Sequence, residues 1–383
     1  MPYAEGRDYY DADSHIMELP EWLPSYAEPP FRERIKPFSF GSTGAPRVVR
    51  EMIARGRQRA GNPAERASHE AELLNRKSWD AFGAFHAEDR SRALDLLGYR
   101  GQLVFPTFAP GQIELRSDVD VSYAAARALT RAMLDFCSAD ARLLPVTFIP
   151  LQDPERAIAE ARFALDAGIK GLTLSPLPPA SHSLTHASLH PLYALAADHG
   201  VPILFHVEND ARRKIAPGFD RNGWEGQTDF HGGGENFTGL LYMAVSQWVE
   251  VALAALIFDH VLEKFPQLRV GVIELGAVWA PAWLERMEIV VDTFGRTESR
   301  LRGLTQRPTD YVRRQVRVTP YPTEDVGRLI ERCGSEIFMY SSDYPHVEGG
   351  RNPLKRFAAS LAGRSDRELD AFYAGNFRDL MRM

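Results

Sequence analysis

Asp13 and His15 stand two residues apart near the end of an apolar run, in Asp11-Ala12-Asp13-Ser14-His15. On an extended strand, residues two apart project to the same side. Three further apolar runs end in the same chemistry: Leu204-Phe205-His206, Val272-Ile273-Glu274 and Ser341-Ser342-Asp343, the last followed by Tyr344-Pro345-His346. Imidazole and carboxylate groups are common ligands of divalent cations. Two histidines and two aspartates converging from three strands, Asp13, His15, His206 and Asp343, could therefore hold one ion. Each has a plainer reading taken alone. A D-x-H tripeptide is common, His206 could be a hydrogen-bonded strand-end histidine, and Asp343 a turn residue before Tyr-Pro. The joint pattern favours the ion, because buried strands carry polar groups only where something satisfies them.

The elements that must position these residues alternate along the chain. Strands are expected at 9–15, 102–106, 144–149, 171–175, 202–207, 268–275, 315–319 and 337–342, mostly continuous apolar runs of the kind buried on both faces. Asp153-Pro154-Glu155 reads as an N-cap, an N1 proline and an acidic first turn, with Gly168 closing that helix. A second helix over 190–199 ends at Gly200. Eight strands interleaved with helices point to an α/β fold, a (β/α)8 TIM barrel with its chemistry at the C-terminal strand ends. An open doubly wound sheet is the alternative, disfavoured because no glycine-rich phosphate loop follows any strand. The whole chain, 1–383, reads as one domain, with a polar helical excursion over 46–97 after strand one and a long loop over 209–237 after strand five, the latter a lid candidate.

Composition narrows the classes. The 383 residues carry 45 Lys+Arg against 51 Asp+Glu, a net charge of −6, which argues against nucleic acid as a partner. Only two cysteines occur, Cys137 and Cys333, so no disulfide framework is implied. The charged start lacks a secretory apolar segment, and the most apolar stretch, 251–258, is too short to span a membrane. A cytoplasmic enzyme acting on a small molecule is expected.

The stretches Asp11-Ala-Asp-Ser-His-Ile-Met-Glu18, Leu103-Val-Phe-Pro-Thr107, 190–206, Phe265-Pro-Gln-Leu-Arg-Val270, Tyr340-Ser-Ser-Asp-Tyr-Pro345 and Gly375-Asn-Phe-Arg378, in that order, resemble the amidohydrolase-2 family. This family holds the aminocarboxymuconate-semialdehyde decarboxylase-like enzymes of the amidohydrolase superfamily. The resemblance runs from about residue 9 to 380; the arginine of the last motif stands one position early. It implies a distorted TIM barrel, one divalent ion, zinc or manganese, and a homodimer. Its ligand pattern falls on Asp13, His15, His206 and Asp343, with Asp13 in place of a histidine tilting the site toward manganese. Two-metal relatives use a carboxylated lysine at the end of strand four; here that strand ends in Ser175-Pro176, so a single ion is implied.

The main departure from the family pattern lies on strand six, where many relatives carry an acid/base histidine and this chain has Glu274. Glu274 and His346 are the rival acid/base candidates, and Asp343 could also take a proton from bound water. Arg212, Arg351, His182 and His231 are candidates for substrate binding, and Glu18 for supporting the strand-one ligands from behind. The leading expectation is decarboxylation of a small aromatic or enolisable carboxylate. The alternative is hydrolysis of a C–N, C–O or C–C bond by metal-bound water, and a third reading is an inactive barrel serving as a binding subunit.

Overall fold

The computed structural model describes residues 2–38, 46–114, 118–207, 219, 221–224 and 239–383. Arg212, His231 and almost all of the expected 209–237 loop lie outside the described residues. The chain folds as two compact units. The first comprises Met1–Phe148, Val207–Val245 and Ser341–Leu354; the second comprises Ile149–His206, Ser246–Tyr340 and Lys355–Met383.

In the first unit, β1 (Tyr10–Ile16), β2 (Gly101–Pro106) and β3 (Leu143–Phe148) pair in parallel in that order. Every residue of β2 is buried, which is why its sequence is an unbroken apolar run apart from Gln102. Between the pairs Asp11–Gln102 and Ser14–Val104, β1 carries one residue more than β2. Such a bulge re-aims side chains, and it falls on the segment that carries Asp13. Between β1 and β2 lie α1 (Pro46–Arg59), α2 (Arg66–Ala71) and α3 (Ala87–Leu97). His86 caps α3 by accepting from the Asp89 N–H, and Gly98 closes it in the left-handed region. The long α4 (Val119–Cys137) starts on an Asp118 cap and buries Ala125, Ala128, Leu129, Ala132, Met133 and Phe136, an i, i+3, i+4 stripe.

In the second unit, β4 (Gly171–Thr173), β5 (Ile203–His206), β6 (Val270–Ile273) and β7 (Val316–Val318) pair in parallel in that order. The Asp153 carboxylate accepts from the Glu155 and Arg156 N–H groups at the start of α5 (Pro154–Ala167), and Gly168 ends it at φ +105°. Gly200 ends α6 (His190–His199) in the same left-handed way. Further on come α7 (Gln247–Phe258) and α8 (Ala280–Phe294).

The strand expected at 337–342 is not regular. Phe338 makes an isolated parallel bridge to Val318, and Tyr344 makes one to Ser14. The ladder is interrupted because the Tyr340 N–H donates to the Phe372 carbonyl and the Ser342 N–H to the Asp11 carboxylate. The chain is thus mixed α/β with seven regular strands among the described residues. None of its described helices is long and apolar enough to cross a membrane.

Candidate metal centre

The first unit brings Asp13, His15, Asp343 and His346 together. The Asp343 N–H donates to the Asp13 carbonyl at 2.9 Å and the His15 N–H to the Tyr344 carbonyl at 2.7 Å, so the backbone sets residue 343 beside β1. His15 Nε2 lies 3.2 Å from Asp13 Oδ1 and 3.7 Å from Asp343 Oδ1. His346 Nδ1 lies 3.0 Å from Asp343 Oδ1, and its ring stacks on His15 with centroids 4.0 Å apart. All four residues are buried. Asp343 adopts φ +52°, a region that costs a residue with a Cβ free energy and is populated by constraint at functional sites. Burial pushes its carboxyl above the usual carboxylate range, and the neighbouring Asp13 charge adds to this, while His346 opposes it.

The donor set fits a divalent ion. Two buried carboxylates repel across one imidazole nitrogen, and a cation among the three donor atoms would turn that repulsion into ligation. Ligand atoms bonded at about 2.0–2.2 Å to one ion stand roughly 3 to 3.6 Å apart; the 3.2 Å separation here lies in that range and the 3.7 Å one just beyond it.

Behind these groups, Glu18 is buried and accepts from the N–H groups of Thr107, Phe108 and Ala109 at 3.0, 3.0 and 3.2 Å. Its hydrogen bonds thus run to the end of β2, and Thr107 in turn touches both histidines. Burial pushes the Glu18 carboxyl up to about 7 against the pull of those N–H groups. Asp11 accepts from Gln102 Nε2 at 2.6 Å, and Gln102 accepts from Arg90 Nε at 3.2 Å. Arg90 is fully buried, with its guanidinium over the Tyr344 ring.

Lys77 belongs to the same unit. The N–H of the next residue, Ser78, donates to the Pro345 carbonyl at 2.9 Å, which anchors this segment to the 343–346 turn. Burial pushes its ammonium down to about 8, opposed by Asp343 and Glu348 and reinforced by Arg351. Arg351 itself is exposed.

In the second unit, His206 is the last residue of β5, and its Nε2 lies 3.3 Å from Glu274 Oε2. Glu274 follows β6 directly with φ +56°, its N–H donating to Thr319 Oγ1 and its carbonyl accepting from the Tyr321 hydroxyl. The Glu324 carboxylate accepts from the Ala277, Val278 and Tyr321 N–H groups and so holds the loop after β6. Gly276 sits at φ +63° against Tyr321 and Glu324, where a Cβ would come within 2.9 Å of both. His182 lies in the segment between β4 and α6, hydrogen-bonded to Ser181 with its ring 5.8 Å from that of His186.

Thr107, Lys77, Asp11 and Glu324 were not among the residues expected from chemistry at strand ends. Thr107 stands directly after the β2 run and Asp11 beside Asp13 in the strand-one run, but their partners, like most of those of Glu324, are remote in the chain.

The chain belongs to the amidohydrolase family, whose model matches residues 10–382. No curated protein sequence matches it significantly. Among solved structures, an amidohydrolase from Mycobacterium avium subsp. paratuberculosis superposes with a TM-score of 0.72 at 21% identity, covering 99% of this chain and 100% of that one. The 5-carboxyvanillate decarboxylase of Novosphingobium aromaticivorans, complexed with manganese and 4-hydroxy-3-methoxy-5-nitrobenzoic acid, gives 0.63 at 18% identity over 99% and 97% of the two chains. The 2,6-dihydroxybenzoate decarboxylase from Rhizobium gives 0.64 at 15% identity over 98% and 99%. These likenesses establish the amidohydrolase fold over the length of the chain.

Proposed function

We propose that this chain is a metal-dependent carboxy-lyase that removes carbon dioxide from a small aromatic or enolisable carboxylate. The observation that carries the reading is the buried cluster in which Asp13 and Asp343 approach one nitrogen of His15. These are strand-end positions at which the family pattern places metal ligands. Asp13, His15 and Asp343 are the proposed ligands, and manganese or zinc is the proposed ion. When bound, such an ion supplies Lewis-acid charge that orients a carboxylate and its neighbouring oxygen and offsets the negative charge developing on the substrate.

Glu274 is the proposed proton donor. His346 is fully buried, with Nε2 3.1 Å from Thr107 Oγ1 and Nδ1 3.0 Å from Asp343, so both ring nitrogens already face protein groups. Glu274 directly follows β6, at the position where many relatives carry an acid/base histidine. In the reaction the bond between the substrate carbon and its carboxylate breaks, and the electron pair stays on carbon. The acid form of Glu274 gives its proton to that carbon as carbon dioxide leaves. Lys77 is the proposed cation for a negatively charged group of the substrate. The decarboxylases among the structural neighbours, named for 5-carboxyvanillate and 2,6-dihydroxybenzoate, support carboxylated phenols as the first substrates to test.

The test is elemental analysis of the purified protein, followed by carbon dioxide release from a panel of hydroxybenzoates set against hydrolysis of esters and amides. One equivalent of metal and metal-dependent carbon dioxide release are expected. Hydrolysis without carbon dioxide release would move the enzyme to the hydrolases of the family. Absence of stoichiometric metal in the intact protein would remove both catalytic readings.

A further inference from the structure

The Thr107 hydroxyl touches both His15 and His346. Its Oγ1 lies 2.8 Å from the Ile16 carbonyl, 3.3 Å from His15 Nδ1 and 3.1 Å from His346 Nε2. A hydroxyl has one proton to donate and two lone pairs to accept with. A carbonyl oxygen can only accept, so the hydroxyl proton goes to Ile16. The Met17 thioether, 3.8 Å away, is a weak and distant competitor for it. Both lone pairs then face ring nitrogens, and each nitrogen must carry a hydrogen to make a bond.

We infer that Thr107 is a positioning residue that fixes the proton of His15 on Nδ1 and that of His346 on Nε2. The consequence at His15 follows from the two-nitrogen ring. A neutral imidazole protonated at Nδ1 presents its lone pair at Nε2, the atom that faces the Asp13 and Asp343 oxygens. The hydroxyl thereby leaves Nε2, set against the two carboxylates, as the ring atom that a cation would take. It is itself held from behind, since the Thr107 N–H donates to Glu18 Oε2. Glu18 sets the position of Thr107, Thr107 sets the tautomers, and the tautomers set which atoms face the carboxylates. The inference deepens the metal-site reading and rests on it for its purpose, but the tautomer itself can be observed without metal or substrate.

The experiment compares wild type, Thr107→Val and Thr107→Ser as full-length, metal-free proteins at a pH above the imidazole range. Nitrogen-15 NMR of the imidazole rings reads the tautomers, with His15→Gln identifying the His15 resonances. Wild type and Thr107→Ser should show His15 protonated at Nδ1; Thr107→Val, which keeps the side-chain volume but offers no acceptor, should lose that preference. Titration with Mn2+ alone should show about 10- to 100-fold weaker binding for Thr107→Val and near wild-type binding for Thr107→Ser. Retention of the Nδ1–H form by a folded Thr107→Val protein overturns the inference. A protein that shows the tautomer pattern but releases no carbon dioxide leaves it standing and removes only the proposed reaction.

Discussion

Ser342 gives both of its donors to one carboxylate: its N–H reaches Asp11 Oδ1 at 2.7 Å and its hydroxyl reaches Asp11 Oδ2 at 2.6 Å. Asp11 is no ligand candidate, yet it clamps the segment bearing Asp343 to the strand bearing Asp13 and His15. Asp11→Asn keeps the shape but replaces one acceptor oxygen by a donor that faces other donors. Loss of about 1–3 kcal/mol in chemical denaturation is expected, with weaker Mn2+ binding in titration. Unchanged stability and affinity would show that the clamp contributes nothing.

Gly349 lies against the same turn. A Cβ there would stand 2.0 Å from the Ser342 carbonyl oxygen and 3.1 Å from Asp343 Cβ. Backbone must move to admit it. Gly349→Ala should cost roughly 1–3 kcal/mol and displace Asp343, weakening metal binding together with stability. Melting and metal titration of one preparation decide the matter, and a variant that matches wild type in both contradicts the close approach.

Glu274→Gln should lower kcat by about 10²- to 10⁴-fold at unchanged metal content, because the amide offers no proton of comparable acidity. His346→Asn should instead act through its neighbours Asp343 and Thr107, changing metal affinity. Full turnover by Glu274→Gln would transfer the proton-donor role elsewhere.

The buried carboxyl of Glu18 makes stability depend on pH in a defined direction. Its value in the fold, pushed up to about 7, lies above the ordinary 4.5, so between these limits the folded state holds a proton that the unfolded chain has released. Its contribution is fully present below about pH 4.5 and is lost as the pH rises through about 7. Relative to Glu18→Gln, metal-free wild type should lose stability over that interval, by on the order of 3 kcal/mol at most. Denaturation of both proteins at several pH values measures the difference, and a flat difference refutes the assignment.

Lys77 tests whether the segment between β1 and β2 serves the reaction. Lys77→Met removes the charge that lies in the field of Asp343 and Glu348. A rise of about 10-fold in KM for carboxylated substrates, with kcat little changed, is expected if the ammonium binds substrate before the chemical step. An unchanged KM would confine Lys77 to balancing the buried acids.

Much of the architecture could be read from neighbouring residues alone. Asp153 before Pro154 and Gly168 after Ala167 bracket α5, because caps depend on a few consecutive backbone groups. Parallel strands buried on both faces leave apolar runs whose polar ends are visible in one dimension, and in this way Asp13, His15, His206, Glu274 and Asp343 came forward. What one dimension does not carry is pairing across distance. Thr107 meets His346 across 239 positions and Ser342 meets Asp11 across 331, so no local pattern announces either contact. The same limit hid the burial of His346, the pressure of Gly349 on Asp343, and the loss of a regular strand at 337–342, where Phe372 and Asp11 take the backbone donors. The sequence by itself determined which chemical groups stand at the strand ends, since propensity and burial act on neighbours. Only the tertiary structure decided which nitrogen faces which oxygen, because hydrogen bonds and charges act through space, and the fold alone sets those distances.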